Sequence, residues 1–254
     1  MKQVPNHLFK FILLFIAGLN PYSFCIAQNL IANPSFEQIN YCCEYGSKCA
    51  PKGWFNTNLT GINSAIFVER ARTDFGKRCI QLRLYDAAKP HKRQYVFTPL
   101  LCTLVKGEAY YFSVWVRADF IAVKELHVIL GDTMFVRFED RRIEAAPSIT
   151  LRDKKKFIYN KKGKWINLTG MYTASGNERY LTMGYLNPDE EIESKQVRNG
   201  ARYAFVSIDS ISLVPLHTKP ECDLAAETKK YFSEGRRHFF NVPCGGDSAF
   251  NLFP

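Results

Sequence analysis

Arginine and aromatic side chains alternate along two strand-like segments in a pattern that suits the binding of sugars. Tyr111, Trp115 and Arg117 occupy alternate positions of one segment, and Arg83 and Tyr85 do so in another. Sugar rings stack their C–H faces on indole or phenol rings, and a guanidinium donates planar hydrogen bonds to hydroxyl or carboxylate groups. These five side chains are the predicted ligand-binding set. In the alternative interpretation, Trp115 lies under the long 119–164 segment and only packs.

The sequence gives little support for catalysis. Glycoside hydrolysis needs two carboxyl groups that face each other across a cleft, one of them with a raised pKa. Spacing pairs none of the acidic candidates, which are Glu108, Asp119, Asp132 and Glu139. The histidines are equally scattered, at positions 7, 91, 127, 217 and 238, and no nucleophile elbow, zinc-binding helix or phosphate loop occurs. We predict that the chain is not an enzyme, with a glycan hydrolase as the alternative.

The N-terminus has the features of a secretory signal peptide. Lys2 and Lys10 supply positive charge, residues 9–19 contain a short apolar core, and a small-residue exit follows near Ala27. We therefore assign residues 1–28 to a signal peptide and expect an exported protein in the periplasm, at the outer-membrane surface or outside the cell. No later segment has 18 consecutive apolar residues, so no transmembrane span is predicted.

Seven of the eight cysteines follow the predicted signal peptide, and export would place them in an oxidising compartment. An odd number leaves at least one outside an intramolecular disulfide. A local bridge from Cys49 to Cys42 or Cys43 is the first expectation. Zinc binding is the alternative, although this cluster lacks paired two-residue gaps and a neighbouring histidine.

The formal net charge is +10, and residues 152–164 hold seven basic side chains against the single acid Asp153. Such a run forms a solvated loop or a surface for anionic polymers and membrane headgroups. No nucleic-acid recognition motif is present, so nucleic acid is not an expected partner.

Short segments with alternating apolar and polar residues dominate the remainder and predict β-strands. They lie at 78–85, 109–117, 125–130, 164–172, 179–185 and 203–213. One helix is predicted over 221–232, after Pro220 and before Gly235. The pattern predicts an all-β jelly-roll β-sandwich over 29–216 and a helical tail or linker over 217–254. Trp54 and Trp165 each follow a glycine-containing turn and are predicted to fill the ends of the core.

A series of short motifs occurs in one order along the chain. They are Asn-Pro-Ser-Phe-Glu at 33–37, Gly-Trp at 53–54, Leu-x-x-Gly-x-x-Tyr-x-Phe-Ser-x-Trp-Val-Arg at 104–117, Trp-x-x-Leu-Thr-Gly-x-Tyr at 165–172, Glu-x-Tyr-Leu-Thr-x-Gly at 178–184 and Ile-Asp at 208–209. The series resembles the galactose-binding-like β-sandwich of CenC-type carbohydrate-binding modules. It is similar to modules of exported bacterial surface proteins that precede OmpA-type domains.

The resemblance implies an exported module that binds a glycan or cell-envelope polymer without transforming it. The implied partner is a polysaccharide or a peptidoglycan-like polymer, and another cell-envelope protein is the alternative. It also implies that 29–37 and 206–213 are the first and last strands of the sandwich. A structural calcium held by Glu37 and Asp209 is a further implication, since calcium takes carboxylate and carbonyl oxygens. Alternatively, both carboxylates only bind neighbouring backbone groups.

Overall fold

The computed structural model describes residues 28–38, 51–57, 67–73, 76–118, 120–136, 141–159 and 163–234. In these residues the chain forms antiparallel strands and one α-helix. The strands are β1 (Phe55–Asn56), β2 (Phe67–Thr73), β3 (Gly76–Asp86), β4 (Val96–Pro99), β5 (Ala109–Ala118), β6 (Ile121–Val123), β7 (Glu125–Gly131), β8 (Ile149–Arg152), β9 (Ile166–Thr173), β10 (Tyr180–Gly184), β11 (Ser194–Gln196) and β12 (Tyr203–Pro215), and the helix is α1 (Leu224–Glu234).

Two five-stranded sheets form the sandwich. The front sheet has the order β2-β3-β12-β5-β9, and the back sheet has the order β1-β4-β10-β7-β8. Strands β6 and β11 form a separate two-stranded ribbon. The predicted all-β jelly-roll sandwich with a short C-terminal helix is confirmed.

Alternation along the strands sends one set of side chains between the two sheets, because successive residues of a strand point to opposite faces. The residues predicted to face inward are all buried: Ile80, Leu82, Leu84, Tyr110, Phe112, Val114, Val116, Leu126, Val128 and Leu130. The opposite face of the front sheet therefore carries the intervening residues of β3 and β5.

The opening segment, residues 28–38, lies against the last strand but does not form a strand itself. Asn29 accepts a bond from the Leu213 N–H at 3.0 Å, and the Ile211 N–H donates to the Pro34 carbonyl at 3.0 Å. The prediction of a first strand here was wrong, because the Asn-Pro turn bends the backbone away from a regular ladder. The opening segment nevertheless lies beside the closing strand, and the predicted last strand is confirmed as β12.

Helix α1 packs onto the sandwich. A disulfide joins Cys222, just before the helix, to Cys102, and Leu224 is buried in the main core. The carboxylate of Asp223 accepts bonds from two backbone N–H groups of the first turn, which is the ordinary role of an N-cap residue. The expected bridge among Cys42, Cys43 and Cys49 lies outside the described residues, as does the predicted signal peptide up to residue 27. In the described chain, no helix is both long and apolar enough to cross a membrane.

Candidate functional site

Four side chains of β5 share the outer face of the front sheet. Tyr111, Ser113, Trp115 and Arg117 alternate with the buried core residues of the same strand, and Tyr111 is exposed. We call these four residues the platform. The structure thus brings Tyr111, Trp115 and Arg117 together, as the spacing predicted.

Trp115 lies in the middle of the front sheet and is half-buried. Its strand neighbours are Asp209 on β12 and Asn167 on β9. In the described part of the 119–164 segment, β7 and β8 belong to the back sheet and Ile143 packs with Ile129 on the far side of that sheet. The Phe120 ring, by contrast, contacts Phe205 of β12 in the front sheet. The alternative in which the 119–164 segment packs over Trp115 stays a prediction.

Arg117 lies at one end of the platform beside Trp165. The guanidinium carbon is 5.1 Å from the centre of the Trp165 ring, within the range of a cation–π contact. Trp165 was predicted to fill one end of the core, but this prediction was wrong, because Trp165 is half-buried on this outer face. Trp54 does fill the core, since it is 1% exposed and its indole N–H donates to the Asn33 carbonyl at 2.9 Å.

Arg83 belongs to the same outer face, two strands away from Arg117 in the front sheet. It pairs with Phe205 of β12, and its guanidinium carbon lies 5.9 Å from the centre of the Tyr203 ring. Arg83 therefore borders the platform across β12 and is not in line with the tyrosine and tryptophan of β5.

The prediction that Tyr85 lies on the outer, ligand-binding face was wrong, because this side chain is 4% exposed and belongs to the core. Ala204 pairs with Tyr85 while the next residue, Phe205, pairs with Arg83, so Leu84 is an extra residue in β3. Such a bulge interrupts the alternation of faces. Leu84 and Tyr85 are consequently both buried, and strict alternation placed Tyr85 on the wrong side.

The two predicted calcium ligands both bind backbone N–H groups. Glu37 accepts bonds from Lys77 and Arg78, and the Arg78 guanidinium lies 3.7 Å from its other oxygen. Asp209 is fully buried and accepts a bond from the Ser210 N–H at 2.7 Å. These contacts match the alternative interpretation, and a guanidinium against Glu37 is a poor setting for a cation. Calcium stays a prediction, and no role is derived from it.

A buried polar cluster on the back sheet was not predicted from the sequence. Glu125 accepts bonds from Arg152 at 2.7 Å and Asn187 at 2.6 Å, and it lies 3.5 Å from His127. Burial lowers the pKa of His127 to about 4 and outweighs the opposite effect of the Glu125 carboxylate. The ring is therefore neutral, and its Nδ1 accepts a hydrogen bond from the Leu186 N–H. These groups satisfy one another, as expected for a structural histidine. The isolated Glu and His in an alternating strand gave no sequence signal for their distant partners.

The acidic residues considered for catalysis serve different local roles where the structure describes them. Glu108 is buried and accepts the backbone N–H groups of His217 and Thr218, while Asp132 is exposed and accepts the Thr133 hydroxyl. Asp119 and Glu139 lie outside the described residues. No group of three or more metal-ligating acids, histidines or cysteines comes together in the part of the chain that is described.

The described part of the basic run forms an exposed loop. Lys154, Lys155 and Lys156 are exposed, and the loop is held in place by Ile158, which is buried and donates its N–H to the Val123 carbonyl at 2.8 Å. The three lysines therefore belong to a solvated loop, and Ile158 attaches the end of this loop to the sandwich. The lysines follow β8, the edge strand of the back sheet, whereas the platform belongs to β5 of the front sheet.

Neither a protein-family model nor a curated protein matches the sequence. Among solved structures, a CBM4 structure covers 73% of this chain and 99% of its own, with 13% identity and a TM-score of 0.40. The K1 cleaved adhesin domain of Lys-gingipain from Porphyromonas gingivalis W83 covers 70% of this chain and 94% of its own, with 15% identity and a TM-score of 0.42. The N-terminal cellulose-binding domain of β-1,4-glucanase C from Cellulomonas fimi covers 66% and 91%, with 14% identity and a TM-score of 0.36. Likenesses this distant say nothing about what the present chain binds.

Proposed function

We propose that this chain is an exported, non-catalytic module that binds a glycan or cell-envelope polymer on the platform of β5. The observation that carries the proposal is the single row of Tyr111, Ser113, Trp115 and Arg117 on an outer sheet face. Apolar ring faces, a hydroxyl and a guanidinium in one row can contact both the C–H and the hydroxyl groups of a sugar.

The spacing of the row suits an extended chain better than one sugar ring. Tyr111 and Trp115 are four residues apart on one strand, which corresponds to about 13 Å at about 3.3 Å per residue. Asn167 lies beside Trp115 on β9 and adds an exposed amide at the margin of the row. We expect the polymer to follow the direction of β5, with Arg117 at one end of its path.

The disulfide between Cys102 and Cys222 supports export, because such bonds persist in oxidising compartments. It also determines which protein should be tested. Removal of residues 217–234 would take away this bond and the buried Leu224, so the full chain is the appropriate material.

The test is binding of the full chain to a panel of polysaccharides that includes peptidoglycan, by calorimetry and affinity electrophoresis. The test variant is Trp115→Ala. The matched control is Tyr180→Ala, which removes another half-buried ring, on the back sheet. Each titration is run with calcium and with a chelator, so that the predicted calcium dependence is measured at the same time.

Saturable binding that Trp115→Ala weakens at least tenfold, and that Tyr180→Ala retains, is the expected result. If both variants bind the polymer as well as the wild type does, the binding site does not lie on β5. If no polymer binds, the glycan proposal fails and docking of another cell-surface protein becomes the leading function.

A further inference from the structure

In the residues that the structure describes, the two sheets end in four edge strands, and three of these carry features that discourage pairing with another strand. Strand β1 is two residues long, and β8 is four residues long and ends in an arginine. Strand β2 contains three charged residues, and its register shifts between Arg70 and Thr73. Short length, charge and irregularity are the ordinary means by which proteins block edge-to-edge association.

Strand β9 has none of these features. It runs for eight residues, Ile166–Thr173, without a charged residue or a proline, and it pairs with β5 in an unbroken register from Ile166 to Thr173. It ends the front sheet. A long, regular and uncharged edge is a template for strand addition.

The backbone groups that face this edge can be identified from the adjoining turn. The Ala174 N–H donates to Glu108 and its carbonyl accepts from Gly107, so residue 174 bonds toward β5. Successive residues of a strand direct their N–H and C=O groups to opposite sides. The outward-facing residues of β9, at 167, 169, 171 and 173, therefore present their backbone groups to the edge. No other element in the described residues bonds to them.

Exposed apolar side chains are concentrated beside this edge. Met171 is 53% exposed and Tyr111 is 37% exposed, and the two are direct neighbours on β9 and β5. They are two of the three large hydrophobic residues that are exposed in the described chain. A second strand against β9 would cover Met171.

From these observations we infer that β9 is a dimer interface at which two copies of this chain add their front sheets edge to edge. The edge carries no charge, so two identical strands meet without the repulsion that the net charge of +10 imposes elsewhere. A two-fold axis at Gly170 pairs Thr169 of each copy with Met171 of the other, and Asn167 with Thr173. Directly opposed residues then share a face, and four pairs form about eight backbone hydrogen bonds. The two platforms would lie on one continuous sheet, which goes beyond the proposed function and does not depend on it.

The test is the dimerisation constant from sedimentation equilibrium of the full chain, compared with Thr169→Pro. The missing N–H of proline points to the edge and not toward β5, so the fold is expected to survive. Thr169→Lys is the second variant, since lysine on an edge strand opposes pairing and needs no change in the backbone. The control is Ser212→Lys, which adds the same charge to the interior strand β12 of the front sheet.

A concentration-dependent dimer that both Thr169 variants weaken at least about tenfold, and that Ser212→Lys leaves within about twofold, is expected. Hydrogen exchange supplies an independent measurement, because the amides at 167, 169, 171 and 173 should gain protection as the protein concentration rises. A monomer at every concentration, or a dimer unaffected by Thr169→Lys, would overturn the inference. Loss of glycan binding alone would not affect it.

Discussion

Tyr231 of helix α1 donates its hydroxyl to the Gly53 carbonyl at 2.6 Å, and its ring occupies the space that a side chain at Gly53 would need. A Cβ at Gly53 would lie 2.3 Å from the ring, and the backbone there has φ +83°. Thr98 donates to the same carbonyl at 2.8 Å. The Gly-Trp turn and the C-terminal helix are therefore parts of one packed structure.

Gly53→Ala should destabilise the chain through two separable causes. The positive φ costs about 1–3 kcal/mol for a residue with a Cβ, and the clash with Tyr231 adds to that cost. Tyr231→Ala combined with Gly53→Ala removes the clash but not the backbone strain, so the double variant should lose less than the sum of the single variants. Urea unfolding of all three measures this coupling. Strict additivity would show that the ring does not occupy this position. Tyr231→Phe, which keeps the ring, should cost about 1 kcal/mol.

Removal of the disulfide should release helix α1 without unfolding the sandwich at room temperature. The bond joins Cys102 to Cys222 across 120 residues of sequence, and closing a loop of that length stabilises a fold by about 3–5 kcal/mol. The Cys102→Ala/Cys222→Ala variant should unfold at lower urea than the oxidised protein and match the reduced wild type. Proteolysis should then cut within α1 first. Equal stability of the oxidised and reduced wild type would contradict this prediction.

Local patterns in the sequence were sufficient to predict the strands because both sheets bury one face. Alternation located β3, β5 and β7 and placed Tyr111, Trp115 and Arg117 together on one outer face. However, the alternation of residues predicts the face of a side chain only where the strand is regular. The extra residue at Leu84 had no local signal, and it moved Tyr85 from the outer face into the core.

Contacts between distant segments could not be predicted in this way. The bridge from Cys102 to Cys222 and the contact of Tyr231 with Gly53 join residues far apart in the sequence. Spacing alone favoured a local bridge among clustered cysteines, because short loops close at the lowest entropic cost. The helix was predicted from its own residues, but the surface that receives it was not.

Mild acid should weaken the back sheet through His127. Its pKa is about 4 in the fold against an ordinary 6.5, because burial disfavours the charged ring. Between these two pH values the unfolded chain binds more protons, so stability should fall as the pH drops from 6.5 toward 4, by up to about 3 kcal/mol. His127→Gln should flatten the pH dependence of urea unfolding in this window. Burial alone would raise the pKa of the nearby Glu125, but the hydrogen bonds from Asn187 and Arg152 outweigh burial and lower it. Protonation of Glu125 should therefore cause a further loss of stability at pH values below this window. A slope unchanged in His127→Gln would contradict this assignment.

Glu178 should control stability at still lower pH. Its side chain is buried and accepts bonds from the Tyr172 hydroxyl at 2.5 Å, the Ser175 N–H at 2.6 Å and the Gly176 N–H at 2.9 Å. Burial alone would raise the pKa of Glu178, but these donors outweigh it and lower the pKa to about 2 from an ordinary 4.5. Stability from this group is complete above pH 4.5 and is lost as the pH falls toward 2, with a total of about 3 kcal/mol.

Glu178→Gln is the test of this assignment, because glutamine keeps the shape but accepts hydrogen bonds without a charge. We expect it to destabilise the turn between β9 and β10 at pH 7 by about 2–3 kcal/mol and to remove most of the pH dependence between 4.5 and 2. Tyr172→Phe should remove a smaller part of both effects, since it deletes one of the donors. The measurement is urea unfolding from pH 7 to pH 2, with Asp132→Asn as the control, because that carboxylate is exposed and accepts only the Thr133 hydroxyl among the bonds described. If Asp132→Asn and Glu178→Gln shift the curves equally, the acid sensitivity belongs to general charge repulsion and not to this turn.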